Sequence, residues 1–119
     1  MQKDVTGLPV CGTADLMLGA RRIDIREDAH GRVHPGRGGM SVTPGSPSRL
    51  PLHLRPERLG GAGRVPVFSI LVEDLGRDLT FRADERKPEK HGFVEPAASM
   101  LWVDYQSALC ETAPRWREF

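Results

Sequence analysis

The stretch Gly36-Arg37-Gly38-Gly39-Met40-Ser41-Val42-Thr43-Pro44 joins a glycine-rich loop to a short β-prone run. Adjacent glycines let the backbone turn freely and let another group approach where a Cβ would otherwise stand. Alternation along the run places Met40 and Val42 on one face of a strand and Ser41 and Thr43 on the other. Two hydroxyls therefore share a face just beyond a loop that carries Arg37. The pattern predicts either a ligand-binding edge or an ordinary turn that feeds an edge strand.

The composition around this stretch favours short elements joined by turns. The chain has 119 residues, with 13 glycines, 10 prolines and 39% hydrophobic residues. This length suits one domain with one modest core. So much glycine and proline argues against a helical bundle. The segment from Gly45 to Gly63 is long for a loop, which indicates a functional cover or a flexible segment.

Hydrophobic patterning then assigns elements on either side. Strands are predicted at residues 65–71, 79–83 and 91–95, with the first central or near-central in its sheet. Alternation at Ile23 and Ile25 predicts another strand, and residues 13–22 fit either a short helix or a strand. A helix is predicted over residues 99–111, where apolar side chains recur at helical spacing. Strands followed by a terminal helix indicate an α+β domain. The residues expected on the core side of the helix are Leu101, Tyr105, Ala108 and Leu109.

The charge balance narrows the class of ligand only slightly. There are 17 basic and 16 acidic residues, and 14 of the basic residues are arginine. Arginine suits two-pronged contacts with phosphates, although a GC-rich coding sequence would produce the same bias. The net charge of +1 gives no support for non-specific binding to nucleic acid.

The two cysteines, Cys11 and Cys110, lie near opposite ends of the chain. Their spacing does not decide whether they pair. Neither has a metal-ligand neighbour, and Cys110 inside the predicted helix is expected to be a core thiol. No apolar run matches a signal peptide or a transmembrane helix, so a cytoplasmic protein is expected.

His91 is the histidine with the most suggestive surroundings. It opens a predicted strand, and alternation places His91, Phe93 and Glu95 on one face. An imidazole and a carboxylate along one face could line a cleft and orient a ribose or an attacking group. The alternative is a solvated histidine at a strand end beside a surface glutamate.

A resemblance to a known family appears at this point of the sequence. His91, Pro96, Ala97 and Met100 follow the pattern His-x4-Pro-Ala-x2-Met before a helix, and Gly38-Gly39-x-Ser41-Val42 stands upstream. In this order, the two motifs resemble those of small type VI secretion effector toxins with an ADP-ribosyltransferase-like fold. The resemblance covers residues 38–109 and is carried by the two motifs together.

The resemblance implies a single ADP-ribosyltransferase-like domain over residues 1–119, with two small split antiparallel sheets and a C-terminal helix. NAD would bind in a cleft between the sheets, without a metal. A guanidinium fork and glycine-loop N–H groups suit its two phosphates. The catalytic set would be Ser41, His91 and Glu95, and cofactor binding would involve Ser41, Gly38, Gly39 and an early arginine, either Arg21 or Arg22.

Three hypotheses about function follow. The leading one is a bacterial NAD-dependent ADP-ribosyltransferase-like toxin that modifies an intracellular target, is delivered into a competing or host cell and is neutralised by an immunity protein. The second is a non-catalytic binding module, such as an immunity or adaptor protein with the same fold. The third, a phosphate- or RNA-binding domain, rests on the arginine count alone and is the weakest.

Overall fold

A computed structural model describes residues 1–119 and contains seven short strands and one α-helix. The α+β class predicted from the sequence, with small antiparallel sheets and one C-terminal helix, is confirmed. Four isolated 3-10 turns lie at Pro47–Arg49, Glu57–Leu59, Val72–Asp74 and Ala113–Arg115. The regular elements are β1 (Arg32–Val33), β2 (Met40–Val42), β3 (Phe68–Ser69), β4 (Leu79–Ala83), β5 (Gly92–Pro96), β6 (Met100–Leu101), α1 (Trp102–Glu111) and β7 (Arg117–Glu118).

The largest sheet has three antiparallel strands in the order β2-β5-β4. Its register aligns Met40 with Val94, and Val94 with Phe81 on the far strand. Because directly paired residues project to the same side, these three side chains form an apolar face. The residues between them alternate to the opposite side, which is polar. The strand predicted at the glycine-rich stretch is therefore present, with the predicted alternation.

Two smaller antiparallel sheets complete the fold. One pairs β1 with β6, which aligns Val33 with Met100, and the other pairs β3 with β7. The second of these sheets brings the C-terminus close to the start of the chain, where Lys3 bonds Glu118 at 2.9 Å. None of the three sheets has more than three strands, so each depends on packing against the rest of the chain.

Helix α1 closes the core and is tied directly to the largest sheet. Trp102, Tyr105 and Leu109 on one side of α1 are buried within a single cluster of 13 apolar residues. The Tyr105 hydroxyl accepts a hydrogen bond from the Met40 N–H at 3.0 Å and donates one to the Val94 carbonyl at 2.5 Å. Burial raises the pKa of Tyr105, so the hydroxyl stays protonated and able to donate. The helix thus bridges β2 and β5 through one side chain.

The structure corrects the predicted start of the helix, whereas the predicted end at Glu111 is confirmed. Residues 99–101 are not helical, because Met100 and Leu101 pair with β1 instead. Leu101 is consequently 41% exposed, and its predicted place in the core is wrong. Tyr105 and Leu109 are buried as predicted, and Ala108 packs against the core while partly buried.

The strand predicted at residues 65–71 is also corrected. Only Phe68–Ser69 is a strand, and it pairs with β7 rather than occupying the centre of a sheet. The central position belongs to β5, which alone has partners on both sides. The apolar side chains of residues 65–70 are mostly half-buried, and they form one wall of the large cavity described below.

The N-terminal third has turns and isolated bridges where regular elements were predicted. Ile25 is buried and bridges Gly38, but Ile23 is 82% exposed, so the strand predicted from their alternation is absent. Residues 13–22 form neither a helix nor a strand, and Leu16 adopts a φ of 62°. That left-handed conformation is incompatible with either element.

Cys11 and Cys110 form a disulfide bond, with their Cα atoms 5.5 Å apart and 99 residues apart in sequence. Cys110 lies on the exposed side of α1, so the expected core thiol is wrong. The bond fastens the irregular N-terminal segment to the helix. No helix in the protein combines the length and the apolar character needed to cross a membrane.

Candidate functional site

The polar side of the three-stranded sheet, called here the polar face, carries the three residues predicted to be catalytic, Ser41, His91 and Glu95. Ser41 pairs directly with Phe93, and Phe93 with Arg82. The Arg82 guanidinium lies 4.8 Å from the centre of the Phe93 ring, and the His91 and Phe93 rings meet edge-on with their centres 4.8 Å apart. The polar face therefore consists of Ser41, Thr80, Arg82, His91, Phe93 and Glu95.

A large open cavity of about 1270 Å³ adjoins the end of this sheet. Ligand pockets are typically about 300–1,000 Å³, so the cavity has room for an extended molecule. The lining includes Met40, Phe81 and Val94 from the apolar face of the sheet, together with residues 43–51, 54–55 and 65–70. The long loop that the sequence marked as a possible cover thus supplies much of the lining.

His91 lies at the rim of this cavity as half of an imidazole–carboxylate pair. Its Nδ1 bonds Asp84 Oδ2 at 2.8 Å, and both residues line the cavity. The hydrogen bond from His91, together with that from the Arg86 N–H, holds the pKa of Asp84 below its ordinary value. Asp84 is therefore ionised near neutral pH and orients the ring. His91 Nε2 has no hydrogen-bond partner in the protein, so it is open to a ligand.

Ser41 is exposed at the β2 edge and also lines the cavity. Its hydroxyl makes no hydrogen bond within the protein. The register places Ser41 and His91 on the same face of adjacent strands, two positions apart. Diagonal neighbours of this kind lie about 7–8 Å apart. Both side chains project to the polar face, whereas the sheet's contribution to the cavity wall is its apolar face.

The two early arginines have different positions, which separates the alternatives left open by the sequence. Arg21 lines the cavity, but Asp24 holds its guanidinium through two bonds of 3.2 and 3.1 Å. Arg22 lies outside the cavity lining, stacked 4.5 Å from the Trp102 ring and paired with Glu27. Of the two arginines, only Arg21 could therefore contact a ligand in the cavity, and its guanidinium would remain paired with Asp24 while it did so.

Glu95 lies on the polar face but is enclosed by protein. It is only 3% exposed, accepts hydrogen bonds from Arg82 Nε at 3.1 Å and from the Gly36 N–H at 2.9 Å, and does not line the cavity. Because both oxygens are engaged, its evident role is to fasten the glycine-rich loop to β4 and β5. The structure therefore does not bring Glu95 together with Ser41 and His91 at the cavity.

Gly38 and Gly39 pack against backbone rather than facing the cavity. A Cβ on Gly38 would lie 2.2 Å from the Asp24 carbonyl oxygen, and a Cβ on Gly39 would lie 2.5 Å from that of Val94. The φ angles are 99° and 153°, which disfavour other residues. The two glycines thus allow other backbone segments of the protein itself to approach closely.

Gly38→Ala is expected to lower the free energy of unfolding by about 2–3 kcal/mol, from backbone strain and overpacking. Gly36→Ala is the matched control, because Gly36 has a φ of 78° but open space around its Cα. The control should cost about 1 kcal/mol, from strain alone. Urea denaturation measures both, and equal losses would contradict a packing role for Gly38.

Several residues near the site were not singled out from the sequence. Asp84 is recognised as the partner of His91 only when β4 and β5 pair. For Tyr105, the sequence predicts only a place in the core. The turn between β4 and β5 also places Arg86, Lys87 and Lys90 at the cavity. A signal existed for this turn, because it holds two of the chain's three lysines.

No group of three or more histidine, cysteine, aspartate or glutamate side chains is placed to hold a metal ion. Comparison with protein-family models, curated proteins and solved structures finds no significant match to this chain.

Proposed function

We propose that this chain is an NAD-dependent ADP-ribosyltransferase-like toxin that binds NAD in the large cavity. The observation that carries the proposal is that Ser41, His91 and Arg21, taken from three separate segments, all line that one cavity. Ser41 and His91 belong to the two sequence motifs, and Arg21 is one of the two early arginines that the resemblance implies.

The chemistry of the lining suits a dinucleotide. Its apolar wall can pack against planar bases, while hydroxyls and guanidinium groups at the rim can meet ribose and phosphate oxygens. NAD would supply an ADP-ribosyl group, with nicotinamide as the leaving group. Ser41 Oγ would position the nicotinamide end through a hydrogen bond. His91, oriented by Asp84, would accept a proton from the acceptor at Nε2.

Binding of NAD to the purified chain tests this proposal. Ser41→Ala and His91→Gln should each weaken NAD binding about tenfold, the effect of losing one ligand hydrogen bond of about 1.4 kcal/mol. Thr80→Ala is the matched control, since Thr80 is an exposed hydroxyl residue on the same polar face but outside the cavity lining. Isothermal titration calorimetry gives the dissociation constants. Absence of binding at millimolar NAD would refute the proposal.

A second candidate, a non-catalytic binding module, is favoured by one specific observation. The two charged side chains expected to act on the ligand, Arg21 and Glu95, are both engaged in internal ion pairs. Expression inside bacteria separates the candidates. A toxin should arrest growth, Ser41→Ala together with His91→Gln should relieve the arrest, and a co-expressed immunity protein should do the same. A binding module should leave growth unchanged.

A further inference from the structure

Four positively charged side chains gather at one end of the cavity. Arg86, Lys87 and Lys90 lie on the turn between β4 and β5, and Arg49 lies on the opposing loop. We call these four residues the basic mouth. All four are exposed, and none has a carboxylate within ion-pairing distance. The four cations of the basic mouth are therefore not held in ion pairs within the protein.

The turn that carries three of these cations is internally ordered. The Asp84 carboxylate accepts a hydrogen bond from the Arg86 N–H at 3.0 Å, and the Lys87 carbonyl accepts bonds from Lys90 and His91. Arg49 Nη1 donates to the Glu89 carbonyl at 3.3 Å, which links the two sides of the mouth. An ordered turn presents its charges with less loss of entropy on binding than a mobile one would.

Other groups at the mouth also suit an anion. Thr43, Ser46 and Ser48 bring hydroxyls to the same part of the lining. The turn also carries three carboxylates, Asp84, Glu85 and Glu89, of which Asp84 is hydrogen-bonded to His91 and Glu85 does not line the cavity. The lining at the mouth therefore has four cations against two carboxylates, an excess that favours anions, whereas Arg21 is matched by Asp24.

We infer that the basic mouth is a phosphate subsite, where Lys87 and Lys90, with Arg49 and Arg86, bind the diphosphate of the cavity's ligand. For its natural ligand this inference rests on the proposed function, because NAD carries such a diphosphate. It moves the expected phosphate contact from the early arginines to the β4–β5 turn. It also explains how a dinucleotide could be held although Arg21 is shared with Asp24.

The test is a calorimetric titration of inorganic pyrophosphate, and separately of NAD, into the full chain at low salt. Lys87→Glu with Lys90→Glu should weaken pyrophosphate binding about tenfold or more, since two attractive charges become repulsive. Arg26→Glu with Arg77→Glu is the matched control, because both residues are exposed and outside the cavity lining. The control makes the same change in net charge and should alter binding no more than about twofold.

The outcomes are separable. Pyrophosphate binding that is lost on the lysine reversals but kept in the control supports the phosphate subsite, even if NAD fails to bind and the proposed function falls. Absence of pyrophosphate binding, or equal loss in both double variants, overturns the subsite, even if NAD binds elsewhere in the cavity. Circular dichroism checks folding. If the reversals disturb it, Lys87→Gln with Lys90→Gln replaces them, with weaker pyrophosphate binding expected and unchanged binding overturning the inference.

Discussion

Replacing Cys11 and Cys110 together with serine is expected to lower the free energy of unfolding by about 4–5 kcal/mol. The disulfide joins residues 99 apart, so it closes almost the whole chain into one loop. A cross-link over a loop this long removes much of the entropy of the unfolded state. Because small domains are stable by only about 5–15 kcal/mol, the loss is a large part of the total.

Guanidinium denaturation with and without reductant measures this effect. The native chain should lose stability on reduction, while the double serine variant should unfold at the same denaturant concentration in both conditions. Ser107→Ala, an exposed position on α1, is the control for substitution in the helix and should change stability by less than about 0.5 kcal/mol. A native chain indifferent to reductant would contradict the prediction.

The second large effect is expected from Tyr105→Phe, at about 2–4 kcal/mol of lost stability. Tyr105 is completely buried, and its hydroxyl is the partner of both the Met40 N–H and the Val94 carbonyl. Removing only the hydroxyl leaves two backbone groups without that partner, and an unsatisfied buried group costs about 1–3 kcal/mol.

Hydrogen exchange distinguishes this mechanism from a general loosening of the core. The Met40 amide should exchange much faster in Tyr105→Phe, whereas the Phe81 amide in β4 should change only with global stability. Leu109→Ala is the comparison, because it removes buried apolar contacts from the same helix without touching the Tyr105 bridge. If Tyr105→Phe kept the Met40 amide as protected as in the native chain, the bridging role would be refuted.

The disulfide also bears on where the protein matures. Disulfides form and persist in oxidising compartments and are rare in cytosolic proteins. The sequence predicts a cytoplasmic protein, whereas the Cys11–Cys110 bond is a feature that is rare in cytosolic proteins. For a toxin delivered between cells, reduction after entry would loosen the N-terminal segment. Thiol titration of the purified chain before and after reduction would show whether the two cysteines are paired.

The candidate site could be predicted only in part. Ser41 and His91 were found because short motifs mark them, and the tertiary structure places both at the cavity. Glu95 was selected by alternation, which correctly gives its face of the sheet but does not show that Arg82 and Gly36 enclose it. The sequence does not indicate Asp84 or the basic mouth as part of a site, because strand pairing and the long loop are what place these residues beside His91 and the cavity.

Local patterns in the sequence determined the elements whose signals lie within a few residues. The strands Met40–Val42, Leu79–Ala83 and Gly92–Pro96, and most of α1, follow from alternation, helical spacing and punctuation by glycine and proline. Tertiary structure alone decided the order β2-β5-β4, the edge position of residues 68–69 and the Cys11–Cys110 bond. The physical reason is that each of these features depends on which distant segments of the chain pack together. A pattern within a few neighbouring residues contains no information about that choice. The glycine-rich loop shows both contributions. Its turn follows from Gly38 and Gly39 in the sequence, whereas the backbone atoms that these glycines pack against belong to Asp24 and Val94.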